Sequence, residues 1–424
     1  MNDLLLILGC LAPMFYGYRR SVSHGTVEIN HVTTFSFGFL FYWITPLAVR
    51  LWASRLHFPL ASVWSGFFRA HLIEPYALAC IALYLCFAVG DSVGVALFRS
   101  EQTSGERRVP TAALLLTTLF ACGLMVYSIY TMRADLFRYA TPTDLRAQSA
   151  RGAVTACIVL MAAAAILYAV QRGHTSWRKL ATSVYFVPLI AGCCLMIYLG
   201  SRLYVASILL MFAVLQTNLR SRFRLKAMIA AVVLAAAFFG AVGTWREGSS
   251  VKGAFFNVLL EPMEDSLSLV HHLRYKGISW INAPTQLISD AQNLLPTVLM
   301  PDKFKTLKKP HAYRPLGGLH SFVSFDMNFG VIGTGMFWFL LPVAFRWIKS
   351  RSDDVLFATV YVMCSGWLAF TFFRDPFSIS LVKAIFEDSI LVPLAIVGFG
   401  QLLVAACKGG PEPKAEPTVL PAPA

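Results

Sequence analysis

Charged residues are scarce in this sequence. Only 14% of the 424 residues are Asp, Glu, Lys or Arg, and 22 acidic residues are outnumbered by 36 basic ones. A soluble domain commonly carries about 25% charged residues, so the composition argues against a soluble enzyme. Hydrophobic residues make up 57% of the chain, and the mean hydropathy is +0.62. We therefore expect an integral membrane protein surrounded by a lipid bilayer, with no nucleic-acid partner.

Cysteine is absent from the hydrophilic loops. All nine cysteines lie within or at the end of apolar stretches, which argues against a disulfide framework and against a thiolate metal site. We expect them to fill helix contacts as small hydrophobic residues. Neither a cofactor nor a bound metal is expected.

Long apolar stretches recur along the whole chain. Each is long enough to cross roughly 30 Å of hydrocarbon as a helix, and none alternates as the strands of a membrane barrel would. We predict an all-α integral membrane protein with about 11 transmembrane helices, near residues 3–17, 32–53, 75–98, 110–131, 152–171, 181–200, 203–219, 227–245, 326–345, 355–373 and 385–407.

The distribution of Lys and Arg predicts the orientation. One alternating set of short loops holds nearly twice as many basic residues as the other, and the richer set is expected in the cytoplasm. The N-terminus is then periplasmic and the C-terminus cytoplasmic. We divide the chain into helices 1 to 8 (1–245), a large external loop (246–325), helices 9 to 11 (326–407) and a Pro- and Ala-rich tail (408–424) expected to be disordered.

The external loop is the one long hydrophilic region. A segment within it, FFNVLLEPMEDSLSLVHHLRYKG, has helical periodicity, and prolines divide the rest into short pieces. Loops of this length are usually functional or disordered, and the apolar content favours function.

External arginines are the most informative chemical signal, because an arginine close to the bilayer needs an anionic partner or water. Each arginine alone is explained by a structural or snorkelling role. Together they predict a pocket for phosphate or pyrophosphate, formed by Arg50, Arg202, Arg246 and Arg374 at helix ends and by Lys303, Lys305, Lys308, Lys309 and Arg314 in the loop.

The histidines and acidic residues divide by side of the membrane. We expect the cytoplasmic group, His24, His31 and His174, to be solvated. His271 and His272 are adjacent in sequence, which points them to different faces of a helix and argues against a shared metal. On the external side, the secondary candidates for acid–base chemistry are Glu261, Asp265 and His311. His320 is the leading candidate, because it precedes the ninth span in a glycine-rich segment.

Three local patterns in residues 180–405 resemble the bacterial O-antigen polymerases, the Wzy-type oligosaccharide repeat-unit polymerases, and the related O-antigen ligases. A Gly-Ser-Arg turn opens the helix GSRLYVASILLMFAVL. The large loop ends in LLPTVLMPDKF and then LGGLHSFVSFDMNFGVIG, similar to the families' proline-rich stretch and histidine-to-glycine entry into a helix. The third pattern is an external arginine in FFRDPF.

The resemblance implies a GT-C-like polytopic glycosyltransferase of the bacterial inner membrane. It would polymerise undecaprenyl-pyrophosphate-linked oligosaccharides, as donor and acceptor, without a metal at the periplasmic face. A chain-length regulator protein is an expected accessory partner. Arg202, Arg246 and Arg50 would bind pyrophosphate, Arg314 and Arg374 would bind pyrophosphate or sugar, and His320 would act as base or position the acceptor.

Other functions stay open. In the ligases the histidine is usually followed by Asn, whereas Ser321 follows here, which favours a polymerase over a ligase. A transporter or lipid-linked oligosaccharide flippase would more typically place charged or broken helices at mid-membrane, and Asp91, Glu387 and Asp388 are the few candidates for such a role. A non-catalytic assembly protein is the third class.

Overall fold

The computed structural model describes residues 3–53, 70–98, 108–136, 145–173, 177–199, 201–219, 223–247, 251–284, 287 and 318–408. Within these ranges the chain is almost entirely helical. The predicted all-α class is therefore confirmed at this level.

In the described residues up to 173, the structure has six α-helices, one π-helical segment and a short hairpin. In chain order they are α1 (Asp3–Ser21), β1 (Val22–Ser23), β2 (Thr26–Val27), α2 (His31–Phe39), π1 (Leu40–Ile44), α3 (Thr45–Ala53), α4 (Ala70–Leu97), α5 (Thr111–Leu136) and α6 (Leu145–Arg172).

The second part contains both short and long helices. Its elements are α7 (Trp177–Ala181), α8 (Phe186–Tyr198), α9 (Arg202–Leu219), β3 (Phe223–Arg224), α10 (Leu225–Glu247), α11 (Val251–Tyr275), α12 (Ser321–Ser350), α13 (Val355–Trp367), α14 (Thr371–Arg374), π2 (Ser378–Leu391) and α15 (Val392–Lys408).

Six helical stretches of the described chain are long and apolar enough to cross a membrane. They match the predicted spans 2, 3, 4, 5, 9 and 11, and they are His31–Val49, Glu74–Leu97, Thr111–Arg133, Arg151–Arg172, Ser321–Ser350 and Ser378–Cys407. Predicted spans 6, 7, 8 and 10 coincide with shorter apolar helices, Phe186–Tyr198, Arg202–Asn218, Leu225–Ala235 and Val355–Trp367. The chain therefore has the helices of a multi-pass membrane protein.

Local sequence explains several helix boundaries. Asn30 caps α2 through a capping box. Its side chain accepts hydrogen bonds from the second and third helical N–H groups, and the backbone N–H of Asn30 donates to the hydroxyl of Thr33. Asp354 is the N-cap of α13, and its side chain accepts a hydrogen bond from Leu356 N at 2.8 Å. The hairpin β1–β2 turns at His24 and Gly25, both with positive φ, and β3 adds a third antiparallel strand.

The large predicted loop is mostly helical where the structure describes it. Helix α10 continues to Glu247, and α11 occupies the segment in which the sequence showed helical periodicity. The ninth span, predicted from residue 326, begins already at Ser321, so His320 occupies its N-cap position.

The core is an aromatic cluster between α2, π1, α4, α12 and α14. The rings of Phe35 and Phe87 stack with centroids 3.6 Å apart, and the ring of Trp338 packs at 5.2 Å from Phe35 and 5.1 Å from Trp43. Helix α12 also approaches α4 closely, because Gly90 has no side chain to hold it away from the backbone of Phe339. This packing places the N-terminus of α12 beside π1.

Candidate functional site

Helix α11 carries a buried polar stripe. Asp265, Ser268 and His272 are spaced i, i+3 and i+7, so they share one face of the helix. All three are buried, as is Leu269 on the same face. Burial of a carboxylate, a hydroxyl and an imidazole costs free energy unless these groups form hydrogen bonds with each other or with a ligand. The stripe is therefore the starting point of the candidate site.

The N-terminus of α12 packs directly onto this stripe. His320 N donates a hydrogen bond to Ser268 Oγ at 2.9 Å, and Ser268 Oγ donates to the carbonyl of Asp265 at 2.7 Å. The His320 ring is fully buried, with its centroid 4.5 Å from the ring of Trp43 and 6.1 Å from that of Tyr76. The π-helical turn carries Trp43, and such turns are frequent at functional sites.

The environment of His320 keeps its imidazole neutral. Both ring nitrogens are buried and have no hydrogen-bond partner among the described residues. Burial lowers the pKa of His320 to about 3. No carboxylate of the described residues is hydrogen-bonded to this ring.

Arg374 joins the site from α14. Its carbonyl accepts a hydrogen bond from Leu319 N at 2.7 Å, which ties the end of α14 to the N-terminus of α12. Gly318 lies between Arg374 and Asp265, since a Cβ atom placed there would be 3.2 Å from Asp265 Oδ1 and 3.6 Å from Arg374 Cγ. Arg374 Nη1 also donates to Asp375 Oδ1 at 3.1 Å.

Arg202 begins α9 on the same side of the bundle. Two residues later, the ring of Tyr204 packs edge-on against Trp367 with centroids 5.7 Å apart. Tyr204 is close enough to Arg374 and Asp375 to interact with both electrostatically, and α9 contacts α14. The fold therefore brings the first turn of α9 beside Arg374.

An acid–histidine pair closes the site. His272 Nε2 lies 2.7 Å from Asp326 Oδ2, and both side chains are almost completely buried. Asp326 Oδ1 is buried without a hydrogen-bond partner in the described chain, while the backbone carbonyl of Asp326 accepts from Asn282 Nδ2 at 2.6 Å. Sequence reasoning missed this pair. An acidic residue in the first turns of an apolar span is the signal that would have found it, because such a residue requires a partner.

Of the remaining predicted site residues, the following lie outside the described part of the structure: His311, Arg314, Lys303, Lys305, Lys308 and Lys309. For Arg50, Arg246 and Glu261, only the side chains lie outside it. The backbones of Arg50, Arg246 and Glu261 lie in α3, α10 and α11.

A separate buried cluster at the opposite end of α2 corrects one prediction. His31 was expected to be solvated, but it is fully buried, with Nε2 3.1 Å from Asp91 Oδ1 and Nδ1 3.0 Å from the hydroxyl of Tyr361. Arg346 binds the same carboxylate through two contacts, Nε to Oδ1 at 2.6 Å and Nη2 to Oδ2 at 3.0 Å. The prediction was wrong because His31 supplies the hydrogen-bond partner that the buried Asp91 needs.

Aromatic packing separates this cluster from the candidate site. The cluster and the candidate site lie at opposite ends of one helical stretch, in which His31 begins α2 and Trp43 lies in π1. Between them, Phe35 and Phe39 are fully buried among aromatic side chains, including Trp338 and Phe373. Along this stretch of the described chain, an aromatic layer therefore separates the two polar clusters.

No family model, no curated protein and no solved structure matches this chain. The site is therefore interpreted from its own chemistry. It combines carboxylates and an imidazole, which transfer protons, with a guanidinium group, which binds anionic oxygen atoms.

Proposed function

We propose that the chain is a membrane glycosyltransferase that polymerises undecaprenyl-pyrophosphate-linked oligosaccharide repeat units at the periplasmic face of the bacterial inner membrane. The observation that carries the proposal is the convergence of residues from α9, α11, the N-terminus of α12 and α14 at one end of the bundle. The sequence assigns that end to the outside. Three residues singled out in the sequence, Asp265, His320 and Arg374, meet there.

The arginines would act on the leaving group. When a sugar leaves pyrophosphate, negative charge develops on the phosphate oxygens, and fixed donors stabilise that charge most in the transition state. Arg374 and Arg202 are the arginines of the described site that suit this role, with Arg246, Arg50 and Arg314 as further members from the sequence. A planar guanidinium binds two phosphate oxygens at once, which lysine does not reproduce.

The acceptor hydroxyl needs a proton acceptor, and His272 fits this role better than His320. In the tautomer whose Nε2–H donates to Asp326 Oδ2, Nδ1 of His272 is the ring nitrogen that would accept the proton. Asp326 would stabilise the imidazolium once the proton arrives, as the acid does in a catalytic triad. His320 has no such carboxylate and is better suited to positioning.

These residues account for the proton and for the bonds that form and break in the transfer. The acceptor oxygen bonds to the anomeric carbon as its proton passes to His272. The bond from that carbon to the pyrophosphate oxygen breaks, and undecaprenyl pyrophosphate departs with the electron pair. No metal or cofactor takes part in this scheme.

The same proposal includes the finer topology. Together, α1, the six long apolar stretches and the four shorter apolar helices make eleven spans in a GT-C-like arrangement. The N-terminus is then periplasmic and the C-terminus cytoplasmic. A chain-length regulator protein is the proposed accessory partner.

A transporter or flippase is the second candidate, because one observation favours it. Helix α12 is interrupted at Gly330, and discontinuous helices line the substrate sites of many transporters. The aromatic layer along α2 weighs against a transporter, since a polar headgroup needs a polar path across the membrane. An O-antigen ligase would use the same site with a different acceptor.

The decisive experiment follows polymer ladders made by purified protein from lipid-linked repeats. His272→Ala should lose about 10²–10⁴ in rate if it accepts the proton. The adjacent His271→Ala is the matched control and should stay near wild type, because the His271 ring lies on a different face of α11 and packs on Tyr275. Arg374→Lys should lose roughly a hundredfold to a thousandfold.

The outcomes separate the claims. A wild-type protein that makes no ladder contradicts the polymerase. A normal ladder with His272→Ala contradicts only the assignment of the base. A deletion strain distinguishes the alternatives, since loss of a polymerase leaves single repeats linked to lipid or core. Loss of a ligase leaves long polymer on the carrier, and loss of a flippase traps single repeats in the cytoplasm.

A further inference from the structure

The segment of residues 277–284, here called the docking loop, follows α11 and lies against α12 where that helix is interrupted. At the interruption, Gly330 has φ +71° and ψ −178°, a conformation outside the helical region. A helix broken in this way leaves backbone N–H groups without their usual acceptors. In hydrocarbon each unsatisfied group is costly, so other protein groups must replace the missing partners.

The docking loop provides these partners. Val331 N donates to the carbonyl of Ser279 at 2.9 Å, and Ile332 N donates to the carbonyl of Trp280 at 3.3 Å. The contact is so close that a Cβ atom on Gly330 would lie 2.5 Å from Trp280 O. The loop and α12 therefore form one backbone-bonded unit.

The outer surface of this unit is apolar and exposed. In the docking loop, Trp280 is 74% exposed and Ile281 is 76% exposed. On α12, Ile332, Met336 and Leu340 are also exposed and follow at helical spacing, so they form a stripe along one face of a candidate span. Since Ile332 bonds to Trp280 through its backbone, the exposed side chains of the loop continue this stripe.

We propose that the docking loop is a re-entrant segment whose Trp280 and Ile281 side chains insert into the acyl-chain boundary of the bilayer. The occupant of this surface is lipid, because the stripe is continuous with the lipid-facing side of α12. Tryptophan at that depth is typical of the membrane interface, where its ring is apolar and its N–H reaches polar groups. This proposal does not depend on the proposed function.

Spin labelling tests the insertion. Single cysteines would replace Ile281, Met336 and Lys276 in a protein whose accessible cysteines are alanine, namely Cys86, Cys122, Cys193, Cys194 and Cys407. The labelled proteins would be reconstituted into phosphatidylcholine–phosphatidylglycerol vesicles. Collision rates would then be measured with oxygen, which concentrates in lipid, and with a water-soluble nickel complex.

The label at Ile281 should collide mainly with oxygen, like the label at Met336 on the candidate span. The label at Lys276, which is exposed just before the loop, is the matched control and should collide mainly with nickel. Nickel access at Ile281 equal to that at Lys276 would place the loop in water and overturn the proposal. Protection of Ile281 from both reagents would also overturn it, by showing that protein covers this surface. Ile278→Cys provides a second loop position if Ile281→Cys does not fold.

Discussion

Removal of the Asp91 carboxylate should strongly destabilise the protein. Asp91 is fully buried and bound at once by Arg346, by His31 and by Tyr16, whose hydroxyl donates to Oδ2 at 3.2 Å. Asp91→Ala would leave a largely buried guanidinium without its counter-charge. Breaking one side of a buried ion pair costs about 3–5 kcal/mol, because the remaining charge stays desolvated.

A matched control comes from the neighbouring pair Lys349–Glu28. Its atoms lie 2.5 Å apart, but its side chains are 27% and 24% exposed, so water screens the interaction. Glu28→Ala should therefore cost about 1 kcal/mol or less. The difference between the two variants isolates the effect of burial.

A double variant tests the cause. Asp91→Leu with Arg346→Met removes both charges, and such replacements are often neutral or stabilising. His31 would still lose its acceptor, at a cost of about 1–3 kcal/mol. The double variant should thus be more stable than Asp91→Ala. Free energies of unfolding would be measured by SDS titration in mixed micelles with circular dichroism. If Asp91→Ala costs no more than Glu28→Ala, the ion pair does not have the buried geometry described above.

Three further predictions use the same purified protein or the intact cell. Gly330→Ala should lower the free energy of unfolding by at least about 1–3 kcal/mol, because the backbone conformation of Gly330 is essentially restricted to glycine. The control Gly335→Ala should not destabilise the protein, since the added Cβ atom meets only Cys86 Sγ at 3.8 Å. Equal unfolding curves for the two variants would contradict the interruption in α12. The pKa of His320 is about 3 in the folded protein and near 6.5 in the unfolded chain. Between these two pH values, only the unfolded chain binds the proton. Wild-type stability should therefore fall relative to His320→Phe by about 1.4 kcal/mol per pH unit below 6.5, and parallel curves from pH 7.5 to 5.5 would refute the neutral histidine. Cysteine reporters should be labelled from the periplasm at Ser249 and Pro284 and from the cytoplasm at Gly105 and Ser221, and the reverse pattern would invert the site assignment.

The candidate site could be predicted only in part. His320, Arg374 and Asp265 stand out in the sequence because each is polar beside an apolar stretch. Their proximity depends on how α11 and α14 pack around the N-terminus of α12, and neither periodicity nor charge counting contains that information. His272 is an example, since its acid lies 54 positions further along the chain.

What the sequence determined by itself is the helical membrane class and most helix positions. Apolar stretches longer than the hydrocarbon thickness must form helices, because lipid offers no partners to backbone groups. Only the tertiary structure decided which polar residues are buried together. His31, expected in solvent, lies beside Asp91, and Arg346 binds the same carboxylate. The physical reason is that a buried charge is stabilised by partners close in space, and helices distant in sequence supply them.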